Sequence, residues 1–223
     1  MCLQVKGFRD SLLVEGNVIS KQMDGGLPSN PVDNSNGEVR KEQVALGQLD
    51  AGKVLSEEFT LFVKHNALFS SLLPELQKRF ETFCIVRNPL PVLASWQSVD
   101  LPVARGTVPM AERFDGKLQS KLSEAEAVMQ KQLVILSWFF DRYRGQENLI
   151  RYESLVETNG RTLFDTTGVI CNSSEPLEPQ LKNTGASNDQ LRRLSDCLLE
   201  RPEIYEGFYS PEDVSSQLEA MLS

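Results

Sequence analysis

The sequence is poor in the residues that build metal sites and disulfide frameworks. Its 223 residues include one histidine and four cysteines, namely Cys2, Cys84, Cys171 and Cys197. The cysteines are scattered without a CxxC pair, whereas a structural zinc site needs about four clustered Cys or His ligands. We therefore expect no metal site and no disulfide framework. Free thiols, which are typical of a reducing compartment, are the simpler expectation.

Positive charge and long apolar runs are also scarce. The chain has 23 lysines and arginines against 31 aspartates and glutamates, a formal net charge of -8. A field of that sign repels phosphates, so we expect no broad nucleic-acid surface and no surface for acidic membranes. The apolar runs are far shorter than a membrane span, and residues 1–10 lack the apolar segment of a signal peptide. We therefore expect a cytoplasmic protein without a membrane span.

The distribution of loop-forming residues divides the chain into two parts. Residues 24–38, DGGLPSNPVDNSNGE, are dense in glycine, proline, asparagine and serine, which predicts a flexible linker. A weak helical pattern precedes it at residues 8–22. We interpret residues 1–58 as an N-terminal helical and loop segment, and residues 59–223 as an α/β domain.

Apolar runs predict strands at residues 59–65, 82–87 and 148–153. The run 82–87 has almost no polar alternation, which is typical of a parallel strand covered on both faces. Helical patterns alternate with these strands, the strongest of them at residues 124–143. This order predicts a three-layer α/β fold with a mostly parallel sheet flanked by helices.

Local signals predict the ends of further helices. A break or start is expected at Pro74, a C-cap at Gly168, a helix from Asn188, and a capping box at Ser210 with Pro211 in the first turn.

Polar side chains stand where the predicted strands end. His65 ends the first strand, Arg87 the second and Tyr152 the third, and Ser95 lies on the helix after Arg87. In open α/β sheets, ligands bind beyond the carboxyl ends of the strands. We therefore expect an anion here, held by a guanidinium, a hydroxyl and helix N-terminal amides.

The stretch VRNPLPVLASW, with Arg87, Asn88, Pro89 and Ser95, resembles a known motif. It is similar to the 3′-phosphate-binding motif of sulfotransferases that use 3′-phosphoadenosine 5′-phosphosulfate (PAPS). The resemblance implies a sulfotransferase-like fold of the P-loop superfamily, with PAPS as the sulfate donor. It implies that Arg87 and Ser95 hold the 3′-phosphate of the nucleotide.

Two further stretches carry the same resemblance. VKHNALFSSLLPEL is similar to the family segment with the catalytic histidine, which implies that His65 deprotonates the hydroxyl acceptor, with Lys64 as a second catalytic candidate. LIRYESLVE resembles the family's YEDL segment, which implies that Tyr152 contacts the adenine. Sulfuryl transfer depends on positioning and positive dipoles and requires no metal.

One family feature has no counterpart in this sequence. Family members open with a strand and a loop similar to G-x-x-R-S-G-T-T, whose backbone amides cradle the 5′-phosphosulfate. No such segment precedes residue 59. We therefore expect an N-terminally incomplete version of the fold. A truncated product, a divergent non-catalytic relative and a loop supplied by another chain are the alternatives.

Three hypotheses about function remain open at this point. The first is a sulfotransferase-like protein that transfers a sulfuryl group from PAPS to a hydroxyl acceptor. The second is a non-catalytic relative that binds 3′-phosphoadenosine 5′-phosphate or a protein partner. A nucleotide kinase-type relative is the weakest, because no G-x-x-x-x-G-K-[ST] loop is present. Structural roles for His65, Arg87 and Tyr152 are the competing interpretation of each residue.

Overall fold

A computed structural model describes residues 2–22, 32–33, 41–42, 44–169, 176–177 and 186–223. The chain divides into two compact units, Met1–Lys64 and His65–Ser223. Cys84 and Cys197 are free thiols, whereas Cys171 lies outside the described residues, as does most of the linker predicted at 24–38.

The described residues of the first unit form one helix and two small antiparallel sheets. Its elements are α1 (Cys2–Val14), β1 (Asn17–Gln22), β2 (Val32–Asp33), β3 (Lys41–Glu42) and β4 (Ala45–Asp50). β1 pairs with β4, and β2 pairs with β3. The prediction of a helix over 8–22 is wrong in its second half. The helix ends because Gly16 takes a positive φ of 71°, a conformation that only glycine adopts at little cost.

The predicted strand at residues 59–65 is not formed. The segment is apolar enough for a strand, but none of the described strands pairs with it. Phe62 and Val63 are 53% and 39% exposed instead of buried in a sheet. A strand needs a partner strand for its backbone hydrogen bonds, and apolar composition does not show whether one is present. The prediction of a strand at 59–65 is therefore wrong.

The second unit is mainly helical. In chain order its elements are α2 (Asn66–Ser71), α3 (Leu73–Gln77), β5 (Cys84–Val86), α4 (Pro89–Gln97), α5 (Pro109–Glu112), α6 (Gly116–Glu124), α7 (Val128–Tyr143), β6 (Leu149–Arg151), α8 (Tyr152–Glu157), α9 (Arg161–Thr167), α10 (Asn188–Leu199) and α11 (Pro211–Leu222). Short 3₁₀ turns occupy Pro102–Arg105 and Pro202–Ile204.

Several helix boundaries confirm the local signals in the sequence. α3 begins one residue before Pro74, which takes a first-turn position. α9 ends at Gly168, whose φ of 68° is left-handed. α11 begins after Ser210, which accepts the N–H of Asp213 while Asp213 accepts the N–H of Ser210.

β5 and β6 form a parallel pair, with Ile85 opposite Ile150. Cys84 and Val86 are buried, but Ile85 is 44% exposed whereas Ile150 is 1% exposed. The expectation that both faces of this strand are covered is therefore wrong for β5. On the face that carries Ile85 and Ile150, β6 is covered because it contacts α8 and α9. At β5 the same face is open to solvent. The described chain is thus α/β with small sheets.

The main core lies among four helices of the second unit. Buried side chains of α4, α7, α10 and α11 form one cluster, to which Val86 of β5 and Tyr205 also belong. A second cluster joins α5, α6 and α7. Trp138 and Phe140 of α7 are buried in these clusters. Because α4 is held on the core beside β5, the turn between them is fixed in position. Within the described residues, no helix combines the length and apolarity that crossing a bilayer requires.

Candidate functional site

Two of the predicted ligands meet at the carboxyl edge of the parallel pair. Arg87 directly follows β5, and Tyr152 directly follows β6. Because the strands are parallel and in register, their carboxyl ends meet at one edge. The guanidinium carbon of Arg87 lies 4.5 Å from the centroid of the Tyr152 ring. This is a cation–π contact, and it places a positive charge and an aromatic ring side by side.

The backbone amides at the start of α4 are already occupied. Asn88 is the N-cap, and its side-chain oxygen accepts the N–H of Leu90 at 3.1 Å. Pro89 and Pro91 have no N–H to offer. The N–H of Asn88 itself binds a carboxylate oxygen of Glu153 at 2.9 Å. The expectation that helix N-terminal amides help to hold an anion is therefore wrong for α4, and side chains would have to bind it.

Ser95 lies on α4, about two turns beyond the N-cap residue Asn88. It is half-buried, and at 1.5 Å of rise per residue it lies about 9 Å along the axis from Pro89. Helical side chains lean toward the N-terminus of their helix. The Cα–Cβ bond of Ser95 is therefore tilted toward the end of α4 that follows Arg87.

Glu153 connects three segments around this edge. One carboxylate oxygen accepts the N–H of Asn88 at 2.9 Å, and the other accepts the hydroxyl of Tyr209 at 2.7 Å. The Asn88 side chain also donates to the backbone carbonyl of Asp213 at 3.0 Å. The sequence placed Glu153 at a strand end but carried no signal for its partners. Tyr209 and Asp213 lie far along the chain, and only the tertiary fold brings them here.

Tyr209 and Arg151 extend the same network. The guanidinium of Arg151 lies 4.3 Å from the centroid of the Tyr209 ring, and its Nη2 lies 3.5 Å from a carboxylate oxygen of Asp213. Burial raises the pKa of Tyr209, and the negative charge of Glu153 raises it further. The Tyr209 hydroxyl therefore keeps its proton and remains the donor to Glu153.

His65 has a structural role at the start of α2. Its Nδ1 accepts the backbone N–H of Leu68 at 3.4 Å, which makes it the N-cap. Its ring also lies 5.9 Å from the Phe69 ring, centroid to centroid. Lys64 is exposed and is the last residue of the first unit. The structure thus brings Arg87 and Tyr152 together and places His65 on a separate element.

Two further observations concern the surroundings of this edge. A groove of about 610 Å³ is lined by residues from Pro202 to Asp213, which include Tyr209 and Asp213 of the network, but not by Arg87, Ser95 or Tyr152. Its volume is therefore no measure of a nucleotide site. No group of three or more His, Cys, Asp or Glu side chains is arranged to bind a metal ion in the part of the chain that is described.

The chain matches no family model, no curated protein and no solved structure. Interpretation of the site therefore depends on the contacts of its own residues.

Proposed function

We propose that this chain is a sulfotransferase-like protein that binds the nucleotide of PAPS at the edge formed by Arg87 and Tyr152. The observation that carries the proposal is the cation–π contact of Arg87, whose guanidinium carbon lies 4.5 Å from the centroid of the Tyr152 ring. Stacking uses the face of a guanidinium, whereas phosphate binding uses the N–H groups at its rim. We therefore propose that Arg87 keeps its contact with Tyr152 while it binds the 3′-phosphate.

The surroundings of Arg87 support a site built from side chains. The prolines at the start of α4 remove amide donors, and Leu90 and Asn88 use theirs within the protein. Ser95 is then the second proposed ligand of the 3′-phosphate, as the sulfotransferase motif implies. Tyr152 supplies the aromatic surface proposed for the adenine. The parallel pairing of β5 with β6 supports a three-layer, P-loop-like sheet as the fold behind this site.

Sulfuryl transfer is the activity proposed for the complete site. His65 would take the proton of the acceptor hydroxyl, whose oxygen would attack the sulfur of PAPS. The bond between that sulfur and the bridging phosphate oxygen would break, and 3′-phosphoadenosine 5′-phosphate would leave. Lys64, next to this base, is proposed as an auxiliary cation for the developing charge.

One observation favours the non-catalytic alternative, in which the protein binds the nucleotide without transfer. Nδ1 of His65 accepts the N–H of Leu68, and a neutral imidazole that accepts at Nδ1 carries its proton on Nε2. In that tautomer neither nitrogen is available as a base. Transfer would require His65 to leave its capping position.

Nucleotide binding and transfer are tested separately. Calorimetric titration with 3′-phosphoadenosine 5′-phosphate should show binding by the wild type, weaker binding by Ser95→Ala and none by Arg87→Ala. Arg192→Ala is the matched control, because Arg192 is an exposed arginine of α10. Equal binding by the wild type and Arg87→Ala would refute the site.

Transfer is measured with labelled PAPS and a panel of hydroxyl acceptors. If His65 is the base, His65→Ala should abolish transfer and leave nucleotide binding unchanged. Transfer that persists in the variant would refute that role. Binding without transfer by the wild type would instead favour the non-catalytic alternative.

A further inference from the structure

We infer that Glu153 is the positioning residue that holds Arg87 in place for the phosphate, an inference that rests on the proposed function. Two consecutive residues after β6 contact two consecutive residues after β5. The Tyr152 ring lies against the Arg87 guanidinium, and the Glu153 carboxylate accepts the N–H of Asn88 at 2.9 Å. That N–H belongs to the peptide that joins Arg87 to Asn88. Its hydrogen bond therefore fixes the direction in which the Arg87 side chain leaves the strand.

The carboxylate of Glu153 is itself held in one orientation. Its second oxygen accepts the hydroxyl of Tyr209 at 2.7 Å, and Tyr209 is only 5% exposed. Hydrogen bonds to a carboxylate are stronger than those between neutral groups. Because the buried Tyr209 holds the carboxylate of Glu153, that carboxylate in turn holds the peptide after Arg87 in place.

If Glu153 acted only through its charge, its removal should strengthen nucleotide binding. A negative charge beside an anion site repels phosphate, so the charge of Glu153 by itself weakens nucleotide binding. Its benefit to the site must come from geometry. Glutamine keeps one acceptor oxygen for the N–H of Asn88 and removes the repulsion, whereas alanine removes the acceptor. The two variants therefore separate geometry from charge.

The first readout is affinity for 3′-phosphoadenosine 5′-phosphate. We expect Glu153→Ala to weaken binding about tenfold, and Glu153→Gln to stay within about twofold of the wild type or to bind more tightly. Glu157→Ala is the matched control, because it removes the same charge from an exposed position of α8. Its affinity should not fall. Equal losses in the alanine and glutamine variants of Glu153 would overturn the inference.

The second readout does not depend on the nucleotide. In ¹H–¹⁵N spectra, the Nε–Hε resonance of Arg87 should be shifted by the ring of Tyr152. The variant Tyr152→Leu gives the unstacked reference. We expect the resonance to move toward that reference in Glu153→Ala and to stay in place in Glu153→Gln and Glu157→Ala. An unmoved resonance in Glu153→Ala would overturn the inference.

The two readouts distinguish failure of this inference from failure of the proposed function. If the wild type does not bind the nucleotide, the proposed function fails, and the Arg87 resonance still decides whether Glu153 positions Arg87. If Glu153→Ala does not fold, Tyr209→Phe replaces it, because it removes only the hydroxyl donor to Glu153. The Arg87 resonance should then move part of the way toward the unstacked reference, and no movement would refute the positioning role.

Discussion

At the scale of single residues, one carboxylate joins two helices of the second unit. Asp115 caps α6 by accepting the backbone N–H groups of Lys117 and Leu118, both at 3.1 Å. Nε1–H of Trp138 also donates to it at 2.8 Å, and it pairs with Arg142 of α7. Burial alone would raise the pKa of Asp115, but these hydrogen bonds and the charge of Arg142 outweigh it. They lower the pKa from 3.8 to about 2.

This carboxylate gives the stability of the protein a definite dependence on pH. The pKa of Asp115 is lower in the folded than in the unfolded state. Its contribution is therefore complete above 3.8 and is lost as pH falls through about 2. We expect Asp115→Asn to lower the free energy of unfolding by about 1–3 kcal/mol at neutral pH. The difference from the wild type should shrink through that acidic window in urea titrations at several pH values.

The control for this prediction is Asp141→Asn on α7. Asp141 has a side chain that is 59% exposed and lies 3.9 Å from Arg144. Pairs of this exposed kind contribute little, so its stability should stay close to that of the wild type. A difference between wild type and Asp115→Asn that stays constant through the acidic window would contradict the assignment.

The residue scale also shows which parts of the site the sequence could predict. Arg87 and Tyr152 could be predicted as neighbours, because the carboxyl ends of parallel strands meet at one edge. The hydrogen bond from Tyr209 to Glu153 could not be predicted, since no local pattern links the two positions. The sequence predicted His65 at the end of a strand, and that strand is not formed. The capping contact of His65 with Leu68 depends on backbone geometry that a motif does not specify.

At the scale of elements, α10 shows how a helix is fixed by one cap and one apolar face. Ser187 accepts the N–H of Gln190 at 3.3 Å, and Gln190 accepts the N–H of Ser187 at 2.8 Å, a capping box. Leu191, Leu194 and Leu198 are buried at helical spacing. α10 therefore packs its leucines against α4 and α11.

Two adjacent leucines of α10 provide a matched test of this packing. Leu198 is fully buried, whereas Leu199 is 37% exposed. We expect Leu198→Ala to lower the free energy of unfolding by about 2–5 kcal/mol, because it leaves a cavity in the core. Leu199→Ala should cost less than about 1 kcal/mol in the same denaturant titration. Equal costs would mean that the packing face of α10 is assigned wrongly.

The N-terminus of α11 supplies a second test at this scale. The hydroxyl of Ser210 accepts the N–H of Asp213 at 3.2 Å, so Ser210→Ala should cost about 1 kcal/mol of stability. Ser216→Ala, at an exposed position within the same helix, should be neutral or stabilising because alanine favours helix. Thermal unfolding measures both variants. No loss of stability in Ser210→Ala would refute the cap.

Elements with their own boundary signals were the ones that the sequence predicted well. The glycine after α9 and the serine before α11 act through hydrogen bonds a few residues away, so their effect can be predicted locally. The strand predicted at 59–65 depended on a partner elsewhere in the chain. The prediction that both faces of β5 are covered was wrong for a related reason. Whether Ile85 is covered depends on which helices pack over β5, and the sequence of β5 does not encode that.

At the scale of the whole molecule, the proposed nucleotide-binding residues Arg87, Ser95 and Tyr152 lie within the second unit and depend on its core. α4, which follows Asn88, and α11, which contains Asp213, both pack in the main cluster. The net charge of -8 opposes the approach of an anion at long range. Binding of a nucleotide would therefore depend on local contacts of Arg87, and the choice among nucleotides should follow the phosphate that Arg87 binds.

The most direct test of the proposed site is the preference for a 3′-phosphate. Calorimetric titrations with 3′-phosphoadenosine 5′-phosphate and with adenosine 5′-phosphate, which lacks that group, give the ratio of the two dissociation constants. We expect the wild type to prefer the 3′-phosphorylated nucleotide by about tenfold or more, as for a charge-assisted hydrogen bond, and Arg87→Ala to lose most of this preference. A wild type without the preference, or an Arg87→Ala variant that keeps it, would contradict the assignment of Arg87 to the 3′-phosphate.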